Sequence, residues 1–326
     1  MAIRDPSFRS CHGIRYFLAR SLMADFSSKI RWRMRHDRSQ KLITIQDKYL
    51  LRKYAEKCDV SMASLLFVGE RAEDIPFKDL PESCMIKASH GCGWNIIKQN
   101  HEYFYFGNGS SPGLIGHIKK GRNGLRMALR LDEGDVLRIC GGWLRKKYST
   151  REWAYHQMAP RILIEEMLFP KSGKELLDYR LYTFEGKVAV INVGSPAYRA
   201  KKVNVFFFPD WTLVPLGCNA EPLPEPLPRK PESLPAMINA AGRLGKGIDF
   251  ARIDFFETTK GVILGEMTVY PEGGKRLSPT SCRCFNVWLG KQWRVTSARE
   301  LHVWWDNIAF LVGRRLRRTL RALGER

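Results

Sequence analysis

The 326-residue sequence lacks several features that would place it in a particular class of protein. It has no apolar run of the about 20 residues that a membrane-spanning helix needs. Residues 15–20 are too few and too charged for the apolar part of a signal peptide, so we expect none. The eight cysteines lack the paired spacing of a zinc site, the closest two being Cys282 and Cys284. We therefore predict a cytoplasmic protein with reduced thiols.

Internal repeats are also absent, as are helix-turn-helix, zinc-finger and RNA-recognition patterns. What is present is a large positive charge, +21 in total. Residues 1–50 contain 11 Lys/Arg and 4 Asp/Glu, a net charge of +7, and residues 291–326 contain 9 Lys/Arg and 3 Asp/Glu, a net charge of +6. The two ends of the chain therefore supply +13 of the total net charge of +21. A nucleic acid, an anionic membrane or a polyanionic substrate are all possible partners, and nucleic acid is the least favoured.

The regular pattern of the chain predicts both helices and strands. Hydrophobic residues make up 44% of the sequence, which fits a globular protein with two subdomains. Short apolar segments bounded by turn residues predict strands, and longer amphipathic segments predict helices. The predicted strands cover residues 64–68, 84–88, 96–98, 161–167, 179–184, 188–193, 203–208, 251–256 and 265–268. The predicted helical segments cover residues 1–40, 47–57, 136–155, 234–244 and 298–326.

Two of these strands each carry one acid, Asp254 and Glu266. If the strands pair as a hairpin, both carboxylates project from one sheet face together with Arg252. Carboxylates held this close repel unless a cation lies between them. Mg²⁺ commonly takes one or two carboxylates plus phosphate oxygens, so the pair is a candidate metal site. The alternative is two solvent-exposed acids at alternating strand positions.

A second motif is the glycine-bearing loop of residues 89–95, which follows Lys87 at a strand end. Glycines let backbone N–H groups approach a phosphate closely, and Lys87 can neutralise its charge. No helix follows directly, so the loop is neither a Walker A loop nor a Rossmann fingerprint. The alternative is an ordinary hairpin turn. His90 could transfer protons or, more in keeping with phosphate chemistry, orient the loop.

A third motif is acidic. Glu165 and Glu166 end an apolar strand and could lie beside a purine, and Asp178 could accept hydrogen bonds from ribose hydroxyls. The alternative is solvated charge at strand ends.

The order of these motifs resembles the ATP-grasp superfamily, and more narrowly the TupA-like ATP-grasp family of bacterial polysaccharide gene clusters. The resemblance covers residues 35–290. The last hairpin also resembles that of the D-alanine–D-alanine ligases, with Thr268 where Asn is usual, which puts a second metal in doubt. The most specific segments are DKY (47–49), RKY (52–54), KASHGCGWN (87–95), REW (151–153), PRILIEE (160–166), LDYR (177–180), RID (252–254) and GEMT (265–268).

The resemblance implies an α+β ATP-grasp fold, in which two lobes with antiparallel sheets clasp ATP. A basic helical segment would cover residues 1–46, and the catalytic domain would cover residues 47–290. Within that domain, the smaller nucleotide lobe would take residues 62–160 and the larger lobe residues 161–290. A basic amphipathic helix would follow at residues 291–326.

The resemblance also implies the activity and the role of each site residue. The protein would be an ADP-forming ligase that uses ATP and Mg²⁺ to join a carboxylate to an amine through an acyl phosphate. A uronic acid or anionic glycan of a surface polysaccharide or capsule would be the acid, and an amino acid or other amine the nucleophile. Phosphates would be bound by Lys48, Lys87 and the loop residues Ser89, His90, Gly91, Gly93 and Asn95. Adenine would lie at Glu165 or Glu166, ribose at Asp178 with Arg180 nearby, and Mg²⁺ at Asp254, Glu266 and Thr268. Arg252 and Lys87 would be the catalytic residues, with Arg252 stabilising the transferred phosphoryl group.

The sequence is compatible with several alternatives. A polysaccharide-pathway glycosyltransferase, a phosphotransferase that stops at phosphoryl transfer, and a non-catalytic membrane scaffold are rival functions. The acceptor site could come from residues 100–150, from residues 198–202 or from the region after Tyr270. The C-terminal helix could bind the inner face of the membrane through Trp and Arg, or pack against the protein with an exposed basic face.

Overall fold

The computed structural model describes residues 25–105, 129–172, 175–195, 204–215, 223–275, 277 and 283–324. Helices and two antiparallel sheets make up the described part, as an α+β fold requires. The predicted helical pattern of residues 1–24, the glycine-rich segment 106–128 and the acceptor candidate 198–202 lie outside the described residues.

Among the described residues, the first sheet has six strands in the order β1-β6-β2-β3-β4-β5, and all neighbouring strands pair antiparallel. Strand β6 pairs with both β1 and β2. It therefore belongs to this sheet, whereas the predicted lobe boundary at residue 161 assigned it to the larger lobe. A strand's partners are set by long-range pairing, which its own sequence does not encode. The strands are β1 (Leu65–Gly69), β2 (Cys84–Ala88), β3 (Asn95–Gln99), β4 (Glu102–Tyr105), β5 (Leu129–Leu131) and β6 (Ile162–Glu166).

In the part of the chain that the structure describes, the second sheet has five strands in the order β11-β10-β7-β8-β9, again antiparallel. Two hairpins predicted from the sequence are present, β7–β8 and β10–β11. The β7–β8 turn is made by Glu185 and Gly186, both with positive φ (47° and 79°), a conformation that glycine adopts without strain. The strands are β7 (Asp178–Phe184), β8 (Lys187–Gly194), β9 (Asn204–Phe207), β10 (Ala251–Thr258) and β11 (Gly261–Thr268).

One compact unit, residues 38–213 and 222–269, contains both sheets. The Asp47 carboxylate accepts hydrogen bonds from the N–H groups of Tyr49 (2.8 Å) and Leu50 (3.3 Å). It therefore caps the first turn of the following helix, as the sequence predicts, although that helix begins only at Leu50. The predicted helical stretch 136–155 is two helices. The helices of this unit are α2 (Gln40–Gln46), α3 (Leu50–Lys57), α4 (Glu133–Arg145), α5 (Trp153–Gln157) and α6 (Leu234–Gly245).

The other compact unit combines the described N-terminal helix with the C-terminal part of the chain. Trp32 of the first helix packs against Val303 of the last, and the buried Lys29 ammonium donates to the carbonyls of Gly290 (3.0 Å) and Trp293 (2.6 Å). In the part of the chain that the structure describes, no helix is long and apolar enough to cross a bilayer. The helices of this unit are α1 (Phe26–His36), α7 (Arg283–Gln292) and α8 (Ser297–Gly324).

Candidate functional site

One face of the second sheet carries a row of charged side chains. Strand pairing places Asp254 opposite both Glu266 of β11 and Arg180 of β7, so the two acids share a face as the sequence predicts. A bulge at Gly265 precedes Glu266 in this pairing, and a Cβ at Gly265 would lie 2.6 Å from the Phe256 ring. We call this row the charged face. Its members are Asp178, Arg180, Arg252, Asp254, Glu266 and Thr268.

The Arg252 guanidinium lies at the centre of the charged face. Its Nε is 2.8 Å from Asp254 Oδ1, and its Nη2 is 2.5 Å from Asp254 Oδ2. The same Nη2 is 3.3 Å from Glu266 Oε1 and 3.3 Å from Thr268 Oγ1. Two carboxylate oxygens and one hydroxyl therefore converge on a single cationic nitrogen. Such a set of hard oxygen donors suits a divalent cation.

The two acids of the charged face have different protonation properties. Burial raises the pKa of Asp254 to about 7, and the bound Arg252 guanidinium opposes this rise. Burial also raises the pKa of Glu266, but nearby cations outweigh it and hold the pKa below its usual value. Glu266 is therefore ionised at neutral pH and surrounded by positive charge. The four cations responsible are Lys48, Arg252, Arg180 and Lys87.

Lys48 joins the glycine loop to the charged face. Its ammonium donates to the Gly91 carbonyl at 2.6 Å and lies 3.5 Å from Glu266 Oε2. Lys48 is only 7% exposed, so its position is fixed by packing as well as by these partners. The predicted phosphate loop and the predicted metal ligands therefore meet at one buried lysine.

The glycine loop is anchored at its start. Ser89 Oγ accepts from Arg161 N (3.2 Å), and His90 Nε2 lies 2.9 Å from the Trp143 carbonyl oxygen. Burial lowers the pKa of His90, so its imidazole is neutral at pH 7 and positions the loop. Gly93 has a φ of 71°, and a Cβ at Gly91 would lie 2.5 Å from the Trp94 ring. Both glycines are therefore required by the shape of the loop.

Lys87 and Glu165 meet across neighbouring strands of the first sheet. Lys87 Nζ donates to Glu165 Oε2, and Arg52 Nη2 donates to Glu165 Oε1 at 2.6 Å. Burial raises the pKa of Glu165, but these two cations outweigh burial and lower it. Glu165 therefore holds the predicted phosphate-binding lysine in place, an ion pair that the sequence does not reveal.

Glu166 points to a different set of partners. It accepts hydrogen bonds from the N–H and the hydroxyl of Ser64, each at 3.0 Å, and pairs with Lys260. A cavity of about 710 Å³ is lined by residues 49–50, 52–53, 56 and 59–65, among them Arg52 and Ser64. Both acids at the end of β6 are thus bound by residues that line this cavity.

Asp178 has one satisfied and one free carboxylate oxygen. Arg180 Nε donates to Asp178 Oδ2 at 2.8 Å, and Arg180 Nη1 donates to Asn192 Oδ1 at 3.2 Å. Asp178 Oδ1 is buried and has no hydrogen-bond partner among the described residues, so it can accept from a ligand hydroxyl. A Cβ at Gly194 would lie 2.8 Å from the Arg180 guanidinium carbon, so this guanidinium lies close against the backbone of β8.

Several residues that shape the site were missed by sequence reasoning. Arg52 belongs to a segment that carries the resemblance, but nothing in its spacing indicates Glu165 as its partner. Asn192 and Gly194 sit in an apolar strand and only the β7–β8 register places them beside Arg180. Among the described residues, no group of three or more His, Cys, Asp or Glu could hold a metal. The candidate metal donors are the Asp254 and Glu266 carboxylates with the Thr268 hydroxyl.

Comparison with known proteins identifies one matching family model, described as TupA-like ATPgrasp, over residues 28–108 and 119–294. No protein with curated annotation shows significant sequence similarity to the chain. Three solved structures are similar to this chain. The first is purK (N5-carboxyaminoimidazole ribonucleotide synthetase) in complex with ADP. The others are the D-alanine–D-alanine ligase of Bacillus anthracis complexed with ATP and an L-amino acid ligase of Bacillus licheniformis.

The likeness to these structures is distant. Sequence identities are 12%, 12% and 11%, and TM-scores are 0.40, 0.36 and 0.41, in the same order. The matches cover 71%, 71% and 78% of this chain. They cover 46%, 56% and 52% of the solved chains, so this chain spans about half the length of these structures.

The Lys87–Glu165–Arg52 arrangement predicts a pH-dependent loss of stability in Glu165→Gln. The variant leaves two cations without their shared counter-ion, so we expect the free energy of unfolding at pH 7 to fall by about 2–3 kcal/mol. Because the folded-state pKa of Glu165 is lowered, its carboxylate stabilises the folded protein in full above the unfolded-state pKa of about 4.3. This stabilisation is lost as the pH falls through the folded-state pKa. Urea unfolding from pH 7 to pH 3 measures this.

The control for this experiment is Glu166→Gln. Its partner Lys260 is 59% exposed and the Gln oxygen can still accept from Ser64, so we expect a loss below about 1 kcal/mol. Equal losses in the two variants, or a Glu165→Gln deficit that persists unchanged at pH 3, would contradict the arrangement.

Proposed function

The chain belongs to the TupA-like ATP-grasp family, and we propose that it is an ATP- and Mg²⁺-dependent ligase that joins a carboxylate to an amine and releases ADP. The observation that carries the proposal is the convergence of Lys48, Arg252, Asp254 and Glu266 on one face, next to a glycine loop. This arrangement offers both fixed positive charge and oxygen ligands, which are the two requirements for binding a metal-bound polyphosphate.

The cations around Glu266 support triphosphate binding. Lys48, Lys87, Arg180 and Arg252 all lower its pKa, so the potential at the Glu266 carboxylate is net positive. Phosphate oxygens would be the natural counter-charges. In this proposal Lys48 and Lys87 bind the phosphates, and the backbone of Gly91 and Gly93 covers them.

The oxygens that converge on Arg252 Nη2 fit Mg²⁺. Asp254, Glu266 and Thr268 supply the two carboxylates and the hydroxyl, all of which are hard donors, and phosphate oxygens and water would complete the set. When bound, Mg²⁺ would neutralise phosphate charge and polarise the phosphoryl group. Arg252 lies within hydrogen-bond distance of the same oxygens, so it would stabilise charge on the transferred phosphoryl group.

The nucleoside end of the site would lie at Asp178 and at the end of β6. Asp178 Oδ1 is a buried acceptor without a partner among the described residues, and ribose hydroxyls are donors. Arg180 orients Asp178 through its other oxygen. The base would lie beside Glu165 and Glu166.

The proposed reaction has two steps. A carboxylate oxygen of the acid attacks the terminal phosphorus of ATP, the bond to the bridging oxygen breaks, and ADP leaves. The amine nitrogen then attacks the carbonyl carbon of the acyl phosphate, an amide forms, and phosphate leaves with the electrons of the broken C–O bond. Arg252 would stabilise the negative charge that develops in both steps.

The acid is proposed to be a uronic acid or anionic glycan, in keeping with the family's association with surface polysaccharides and with the net charge of +21. The nucleophile is proposed to be an amino acid or other amine. A glycosyltransferase that uses a nucleotide sugar has no need for the glycine loop, Lys87 and the Asp254–Glu266 pair together. A kinase that phosphorylates a hydroxyl would use the same groups and is the rival that experiment must separate.

Glu266→Gln tests the reaction. We expect ADP release by the wild type with MgATP only when both a uronic acid and an amino acid or amine are supplied. Removing the ionised metal ligand should lower ADP release by about 100-fold or more. A coupled assay of ADP release, with mass spectrometry of the amide, measures both.

The matched control is Glu73→Gln, an exposed acid of the same unit, which should retain wild-type turnover. ADP release with a hydroxyl acceptor and no amine would identify a kinase instead. Turnover of Glu266→Gln at the wild-type rate would contradict the metal assignment.

Helix α8 supports a further part of the proposal, peripheral contact with an anionic membrane at its cytoplasmic face. One side of the helix packs within its own unit, where Val303 is 1% exposed and Arg31 lies 4.7 Å from the Phe310 ring centroid. The other side leaves Leu301 and Trp305 58% exposed and Val312 54% exposed. These positions recur at helical spacing and so form one apolar stripe.

The charge of the same helix favours lipid as the partner. Five arginines follow the stripe in the sequence, at positions 314, 315, 317, 318 and 321. An exposed Trp beside clustered Arg is typical of helices that lie in the interface of anionic membranes. In this proposal one face of helix α8 packs against the protein and the opposite face meets the membrane. The two predicted alternatives therefore concern different faces.

The stripe predicts vesicle binding that depends on Trp305. We expect the full chain to sediment with vesicles containing phosphatidylglycerol, with much less binding to pure phosphatidylcholine. Trp305→Ser should weaken binding to anionic vesicles about tenfold, because it removes a large interfacial apolar side chain. His302→Ser, an exposed neighbour outside the stripe, is the control. Binding that is the same for Trp305→Ser and wild type would contradict the membrane proposal.

A further inference from the structure

Four ionisable side chains beside the charged face take no part in the roles above. We call them the Tyr148 cluster, which consists of Cys92, Tyr148, Glu152 and Tyr155. The Tyr148 hydroxyl donates to the Cys92 sulfur, and the ring centroids of Tyr148 and Tyr155 lie 4.8 Å apart. Burial raises the pKa of the Tyr155 phenol well above its ordinary value, and the nearby acids Glu266 and Glu152 raise it further. These groups therefore surround one buried phenol next to a proposed metal ligand.

The position of the cluster along the sheet is set by Gln46. Its Nε2 donates to the Tyr155 hydroxyl at 2.9 Å, and its Oε1 accepts from Val269 N at 2.8 Å. Val269 directly follows Thr268, so the cluster lies at the Thr268 end of the charged face. Asp178 lies at the other end, because it pairs with Phe256.

This placement bears on where the acceptor enters. If the nucleoside lies at Asp178 and the phosphates lie at Lys48 and Glu266, the terminal phosphoryl group points towards the Thr268 end. The groups that it meets there are those of the Tyr148 cluster. Cys92 is the exposed member, so the cluster is open to an incoming molecule.

Glu152 is the charged member of the cluster, and its surroundings are unusual for an acid. It is half-buried, its N–H donates to Ser149 Oγ at 3.2 Å, and its carbonyl accepts from Tyr155 N at 3.1 Å. Among the described residues no Lys, Arg or His is paired with its carboxylate. Burial raises the pKa of Glu152 to about 7. A carboxyl group without a cation beside a reaction centre can bind an ammonium group and take up its proton at neutral pH.

Resting on the proposed ligase function, we propose that the Tyr148 cluster is the subsite for the amine substrate, a primary amine, and that Glu152 binds it and accepts its proton. The ammonium group transfers one proton to the Glu152 carboxylate and becomes a neutral amine. Its lone pair forms the C–N bond with the carbonyl carbon of the acyl phosphate, and the C–O bond to phosphate breaks. The second proton leaves the nitrogen with the departing phosphate. Tyr148 and Tyr155 line the path of the amine and keep water away from it.

Glu152→Gln tests the subsite by binding, so that the acid substrate need not be known. Glycine, ethanolamine, lysine and glucosamine are titrated into the full chain with Mg²⁺ and a non-hydrolysable ATP analogue. We expect at least one amine to bind the wild type and to bind Glu152→Gln at least about tenfold more weakly, because a charge-assisted hydrogen bond is lost. Glu152→Asp keeps the charge and should recover most of the affinity. Glu133→Gln, an exposed acid on α4, should bind like the wild type.

A second readout is the alkylation rate of Cys92, mapped by mass spectrometry. The amine should slow alkylation in the wild type but not in Glu152→Gln, an effect that a purely structural role of Glu152 would not produce. Binding of the nucleotide analogue should be unchanged in all variants, which also shows that they are folded. If no amine binds the wild type, or if Glu152→Gln binds it equally well, the subsite is refuted. Failure of the wild type to bind the nucleotide analogue would instead contradict the ligase proposal.

Discussion

Bringing Asp254 and Glu266 together on the β10–β11 hairpin costs electrostatic energy, because two carboxylates lose water and repel each other. The Arg252 guanidinium offsets this electrostatic cost because it binds both carboxylates, and it also contacts the Thr268 hydroxyl. Lys48 adds a second cation at Glu266 and also holds the glycine loop through the Gly91 carbonyl. The charged face, the loop and the start of α3 are therefore organised around one buried cluster of charges.

A similar constraint governs the first sheet. Lys87 lies on β2 and would be mobile without a fixed partner, and Glu165 on the neighbouring strand β6 supplies one. Arg52 binds the other oxygen of the same carboxylate, so the charge of this trio is net positive. If Lys87 binds phosphate as proposed, its fixed position before any ligand binds would reduce the entropic cost of ordering the site.

Much of this arrangement can be predicted from the sequence, but only where it depends on residues that are close together in the chain. Each acid, each glycine and Lys87 could be identified because strand alternation and turn residues are read from neighbouring positions, and the Asp254–Glu266 pairing follows from a short hairpin. The Glu165–Arg52 pair, the place of β6 in the first sheet and the fit of Gly194 against Arg180 depend on contacts between distant segments. Hydrophobic pattern gives no information on such pairings. The two faces of α8 were predicted as alternatives, because an amphipathic pattern alone cannot tell which apolar residues a neighbouring helix covers.

The proposed activity requires that a metal-bound nucleotide lies on the charged face. A crystal structure of the full chain with Mg²⁺ and a non-hydrolysable ATP analogue would test this most directly. We expect the ribose hydroxyls at Asp178, the terminal phosphate within contact of Lys48 and Arg252, and the metal bound by Asp254 and Glu266. A nucleotide bound elsewhere, with Asp254 and Glu266 still closed around Arg252 alone, would contradict it.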